Sequence, residues 1–179
     1  MATNQEQVNT IARKFGISLI NMGIKFVQSA FAGLKPKEIS FGDLKIYCVN
    51  AGLDIPTNQF DYKYYLVSWE TWQMLLDLVI LDKALYIGEK RDCDNFAFLI
   101  SGLASFLTGL NTCGAALGFV YNRNTGAPIA GHYFNIIVCS DGKLYCYDVL
   151  NSNGWCQIEK GKPIIIENWE YKIKNITFF

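Results

Sequence analysis

A thiol, an imidazole and a carboxylate in one chain can together make a nucleophile, a base and an orienter. The chain carries these at Cys93, His132 and Asp148. It has a single histidine. Zinc sites that need two imidazoles are therefore excluded, and His132 is the one unperturbed side-chain base for neutral pH. Cys93 stands in Arg91-Asp92-Cys93-Asp94-Asn95-Phe96-Ala97, at the predicted first turn of a helix. Free N–H groups and the positive end of the helix dipole favour a thiolate there. Asp92 is placed to cap that helix. Taken alone, a cysteine at a helix start is more often a small apolar residue.

His132 follows Gly131 at the start of a predicted strand, and Asp148 lies sixteen residues on, near the end of the next. The turn between them is Ser140-Asp141-Gly142. A two-residue loop would send the two side chains to opposite faces. A three-residue loop with Gly in the left-handed position shifts the register by one. His132 then opposes Leu150, Asp148 opposes Phe134, and the two become diagonal neighbours on one face. The expected chemistry is thiolate attack on a carbonyl, with the imidazole exchanging the proton and the carboxylate fixing its tautomer. Asn135 is a second candidate orienter, but alternation puts it on the face opposite His132.

The elements that must hold these groups read as helices first and strands after. Residues 6–33 carry Val8, Ile11, Phe15, Leu19, Met22, Phe26 and Ala30 at helical spacing, ended by Gly33 and Pro36. Leu44 to Val49 reads as a short strand or a helical turn, and Asn50 to Tyr65 as loop. A second helix starts at Ser68 and ends near Gly88. A third runs from Asp92-Cys93 to about Leu107 and is apolar nearly all round, which predicts burial on most sides. Strands are predicted at Ala115–Tyr121, His132–Cys139, Lys143–Leu150, Pro163–Ile166 and Tyr171–Phe178. The fold class is α+β: N-terminal helices and a buried central helix on an antiparallel sheet. Residues 1–36 form an N-terminal helical segment and 37–179 the α+β domain.

Composition narrows the partners. Sixteen Lys+Arg balance sixteen Asp+Glu over 179 residues, so no long-range field recruits nucleic acid or a charged membrane. The uncharged run after Asp94 is broken by Asn111-Thr112 before it reaches a membrane span. Six cysteines without CxxC, and no signal-peptide pattern, point to free thiols in a reducing cytoplasm. Cys139 and Cys146, flanking the hairpin, could pair as a disulfide, with reduced strand cysteines the plainer reading in a cytoplasm. No cofactor is called for. Calcium on Asp92, Asp94 and Asp148 is the metal alternative, with a helix cap and surface acids the plainer one. Trp69, Trp72 and Tyr121 are a sugar or peptide platform or, by default, core.

The cysteine block, the Gly-His-aromatic strand and the acid after an Asp-Gly hairpin resemble the papain-like and transglutaminase-like cysteine enzymes. The likeness is nearest to the papain-like C-terminal domain of mushroom agglutinin chimerolectins and phage-encoded relatives. It rests on Trp69 to Leu76, Asp92 to Ala97, Gly131 to Asn135, and Asp148. It implies a cysteine-dependent hydrolase or acyl transferase, peptidase-like, acting on a peptide, a protein or a glycan. Asp94-Asn95, Tyr133 and Asp148-Val149-Leu150 depart from the pattern, and no glutamine aligns as oxyanion donor. The Cys93 backbone N–H with Tyr86 or Lys90 would have to serve. The alternative is a binding module on the same fold without chemistry, including a phage or virion-associated protein.

Overall fold

The computed structural model describes residues 4–78, 92–151 and 154–179. They divide into two compact units, residues 1–34 and 35–179. The first is the helix α1 (Asn4–Phe31), closed by a turn in which the Leu34 N–H donates to the Phe31 carbonyl at 3.0 Å. No helix among the described residues is long and apolar enough to cross a membrane.

The second unit opens with β1 (Lys37–Ser40) and α2 (Phe41–Asn50). Ser40 caps α2: its hydroxyl oxygen accepts from the Asp43 N–H, and its own N–H donates to Asp43 Oδ2. That reciprocal pair settles Leu44 to Val49 as helix. The predicted loop at Asn50 to Tyr65 instead contains β2 (Thr57–Gln59) and most of β3 (Lys63–Leu66). These short strands pair with distant segments: β3 with β1, and β2 with the last strand. Nothing local in their sequence marks them. Next come α3 (Trp69–Leu78) and α4 (Cys93–Thr108). The predicted continuation of α3 to Gly88, with Tyr86 and Lys90, lies outside the described residues.

Six strands follow: β4 (Cys113–Asn122), β5 (Pro128–Val138), β6 (Leu144–Asp148), β7 (Gly154–Ile158), β8 (Ile164–Ile166) and β9 (Trp169–Phe178). The sheet runs β2-β9-β4-β5-β6-β7, with β8 beside β9. It is α+β as expected but mixed, because β2 joins β9 in parallel. The terminal strand β7 has no counterpart among the predicted strands; its pairing comes wholly from β6.

One face of the sheet meets α2 and β3. Leu44, Cys48, Tyr64 and Leu66 pack there with Ile136, Val138, Leu144, Ile176 and Phe178. Each fully buried aliphatic contributes about 1.5–3 kcal/mol to burial. The other face carries α3, whose Trp69 stacks on Tyr145 at 4.0 Å, and α4, whose Phe98 meets Tyr133 at 5.6 Å. Trp69 and Trp72 are thus core rather than platform. Helix α4 is not buried on most sides. Phe96, Ala97, Ile100, Ser101 and Ala104 are buried, whereas Phe98, Leu99 and Phe106 are exposed. Its apolar composition does not tell one face from the other, and only one stripe is covered.

Candidate functional site

Helix α4 puts Cys93 in its first turn. Asp92 is the N-cap residue, and its N–H donates to Asn95 Oδ1 at 3.2 Å. Asn135 ties α4 to β5: its amide donates to the Ala97 carbonyl at 2.9 Å and to Ser101 Oγ at 3.0 Å. The second candidate orienter therefore anchors the helix that carries the cysteine and does not touch His132.

Strands β5 and β6 set the other two groups. Gly142 has φ +81°, and its N–H donates to the Cys139 carbonyl. This is the left-handed glycine that a three-residue turn needs. Asn135 pairs with Tyr147 and Ile136 with Cys146. Continued, that register sets His132 against Leu150 and Asp148 against Phe134. His132 Nε2 lies 2.7 Å from Asp148 Oδ2, both side chains being buried.

Asp148 is held by two more donors. The Tyr171 hydroxyl donates to the same Oδ2 at 2.7 Å, and the Leu150 N–H donates to Oδ1 at 3.0 Å. The Asn151 amide in turn donates to the Tyr171 oxygen at 3.1 Å and to the Ile166 carbonyl at 3.0 Å. Gly118 of β4 is the register partner of His132. A Cβ there would lie 2.5 Å from the Lys172 carbonyl oxygen, so only glycine leaves β9 close enough to present Tyr171.

The charges follow from these contacts. Burial works against a charged His132. The hydrogen bond and charge of Asp148, and those of Cys93, outweigh it and raise the imidazole from 6.5 to about 9. Burial likewise works against the Cys93 thiolate. Hydrogen bonding with His132 and the Tyr133 N–H, with the imidazolium charge, together bring the thiol below its ordinary value. With Nε2 committed to Asp148, it is Nδ1 that is left for the thiol. Burial pushes Cys48, Cys113 and Cys139 up to about 12.

Beside this pair opens a cavity of about 440 Å³, lined by Val120, Ile129, Leu150 and Trp169 as well as Cys93 and His132. The Trp169 ring stands at 85° to the imidazole, 5.7 Å away. No group of three or more metal-ligating side chains occurs among the described residues. The structure thus brings Cys93, His132 and Asp148 together. Tyr171, Asn151 and Trp169 escape a sequence reading. They reach the site through the β4–β9 pairing and the turn after Asp148, which leave no local signal.

No family model matches the chain, and no curated protein matches it. Among solved structures it is similar to a complex of PSL1a with E64. The TM-score is 0.53 at 14% identity, over 79% of this chain and 51% of that one. It is equally similar, at TM-score 0.53 and 14% identity, to the Polyporus squamosus lectin bound to the human-type influenza-binding epitope Neu5Acα2-6Galβ1-4GlcNAc. That match covers 79% of this chain and 49% of the lectin. The chain spans about half the length of these neighbours. They share its fold.

These findings correct the superfamily resemblance. The named neighbour is a lectin, and neither neighbour is named as a peptidase or a transglutaminase. The identities cysteine peptidase, transglutaminase and phage protein are withdrawn. So is a catalytic triad taken as a family trait. The physical reason is the size of the signal. A capped helix start, a Gly-His strand and an Asp-Gly hairpin are short motifs that fix local geometry, and local geometry does not fix a reaction. Nothing in the comparisons supports a peptide or protein substrate.

Proposed function

We propose that residues 35–179 are a binding module whose ligand enters the cavity beside Trp169 and meets the Cys93–His132 pair in its lining. The observation that carries this reading is the cavity itself, largely apolar and lined in part by two groups that set each other's charge. Trp169 offers an aromatic surface on which the C–H face of a sugar ring can stack. The ligand class is a glycan, by analogy with the sialylated epitope to which the neighbouring lectin is bound. Neu5Acα2-6Galβ1-4GlcNAc and E64 are the first compounds to titrate. A ligand seated in the cavity should protect Cys93 from alkylation, and its fluorescence signal should disappear in Trp169→Ala. Unaltered alkylation at saturating amounts of both compounds would count against this cavity as the binding site.

A second reading rests on one observation: the commitment of His132 Nε2 to Asp148, which leaves Nδ1 for Cys93. In it Cys93 is the nucleophile, His132 the proton carrier and Asp148 the orienter. The thiolate adds to an acyl carbonyl, and His132 gives its proton to the leaving group. A thioester remains, which water or another acceptor opens. An activated ester tests it: a hydroxylamine-sensitive adduct on Cys93, absent in His132→Ala, supports this reading. An inert Cys93 leaves binding alone.

A further inference from the structure

We propose that Cys146 and Cys156 are a redox site, a dithiol that closes to a cross-strand disulfide when it meets a small organic disulfide of the glutathione class. The inference is independent of the proposed function. Strands β6 and β7 are antiparallel, and Cys146 stands directly opposite Cys156. Directly opposed residues in such a pair have Cα atoms about 4.5–5.5 Å apart. A disulfide spans Cα separations of about 4.4–6.8 Å, so the bridge closes without moving the strands. Opposed side chains lie on one face of the sheet, here the core face, where Cys156 packs against the cluster that contains Cys146. The two thiols shift each other's pKa in opposite directions, Cys146 upward and Cys156 downward. The pairing weighed from sequence, Cys139 with Cys146, does not form; both are free thiols.

The two sulfurs are unequal in a way that orders the steps. Cys146 is fully buried, and burial holds its thiol far above the ordinary range. Cys156 is half-buried on the terminal strand, and hydrogen bonds from Cys146 and the Ile165 N–H lower it. Cys156 therefore reacts first. Its thiolate attacks one sulfur of R–S–S–R, that S–S bond breaks, and one RS⁻ leaves to take up the proton Cys156 has lost. Cys146 then gives up its proton and attacks the Cys156 sulfur of the mixed disulfide. The Cys146–Cys156 bond forms and the second RSH departs. The dithiol loses two electrons and two protons, and the reagent becomes two thiols. Cys146 is two residues before Asp148 on β6, so the bridge would fasten the strand that carries the site's carboxylate.

The folded wild-type protein is incubated with oxidised glutathione, digested without reduction and mapped by mass spectrometry. The expected product is a Cys146–Cys156 cross-linked peptide, reversed by dithiothreitol. In Cys146→Ser, glutathione should stay as a stable adduct on Cys156. Cross-linking is read without any substitution in the pair, so a poorly folding variant does not spoil the test. Glutathione adducts without that cross-link, or a bridge between other cysteines, would overturn the proposal.

Discussion

Tyr171 donates its hydroxyl proton to the same carboxylate oxygen of Asp148 that holds His132 Nε2, each contact being 2.7 Å. One buried oxygen thus answers two donors, and Asn151 fixes the direction of the phenolic O–H by donating to its oxygen. Removing only that hydroxyl, in Tyr171→Phe, leaves a buried acceptor underused and should cost about 1–3 kcal/mol of stability. The loosened carboxylate is then a weaker counter-charge for His132. The alkylation midpoint of Cys93 should move up in pH relative to wild type. Urea unfolding reads the first effect and the alkylation profile the second; a purely structural role would leave the profile unmoved.

The His132–Asp148 pair makes stability depend on pH in a defined direction. His132 titrates at about 9 in the fold against 6.5 ordinarily. Its contribution is therefore complete below pH 6.5 and is lost as the pH rises through about 9. His132→Gln removes one partner of a buried pair and should destabilise by about 3–5 kcal/mol at pH 6. The gap from wild type should narrow steadily between pH 7 and 9.5, as followed by melting temperature.

Gly118 faces His132 across β4 and β5, with the Lys172 carbonyl crowding it from β9. Gly118→Ala forces β9 outward and should cost about 1–3 kcal/mol. Because β9 carries Tyr171, selective labelling of Cys93 should weaken in the same variant.

Gly142 offers a contrast. Its φ of +81° serves only the turn. Gly142→Ala should cost about 1–2 kcal/mol for the left-handed backbone and keep the strand register. Denaturation should report that loss while the Cys93 profile stays as in wild type. A shifted profile would mean that this turn does more than set the register.

How much of this the sequence shows depends on how local each signal is. The hairpin register is legible, because Asp141-Gly142 prescribes the turn and side chains alternate from there. The start of α4 is legible from Asp92 ahead of an apolar run. Strands β2 and β3 are not, since they are short and their partners are remote; nor is β7, although its partner β6 is next to it in the chain, because apolar Trp155 on its exposed side breaks the alternation of polar and apolar residues. The exposed side of α4 is hidden by its uniform apolarity. Tyr171 is hidden more deeply: nothing near it in the chain distinguishes it from any strand tyrosine until β9 is laid beside β4. The reach from motif to superfamily fails for a related reason. The motifs describe a local arrangement, and many chemistries can use one.

The central claim is that His132, fixed by Asp148, lowers the pKa of the Cys93 thiol in the lining of an open cavity. The most direct measurement is the iodoacetamide labelling rate of each cysteine against pH, resolved by mass spectrometry, in wild type and His132→Ala. Cys93 should label far faster than Cys48, Cys113 and Cys139, with a midpoint below the roughly 8.5 of an ordinary thiol. That advantage should disappear in His132→Ala. A Cys93 that labels no faster than the buried cysteines, or whose profile is indifferent to His132, would contradict the claim.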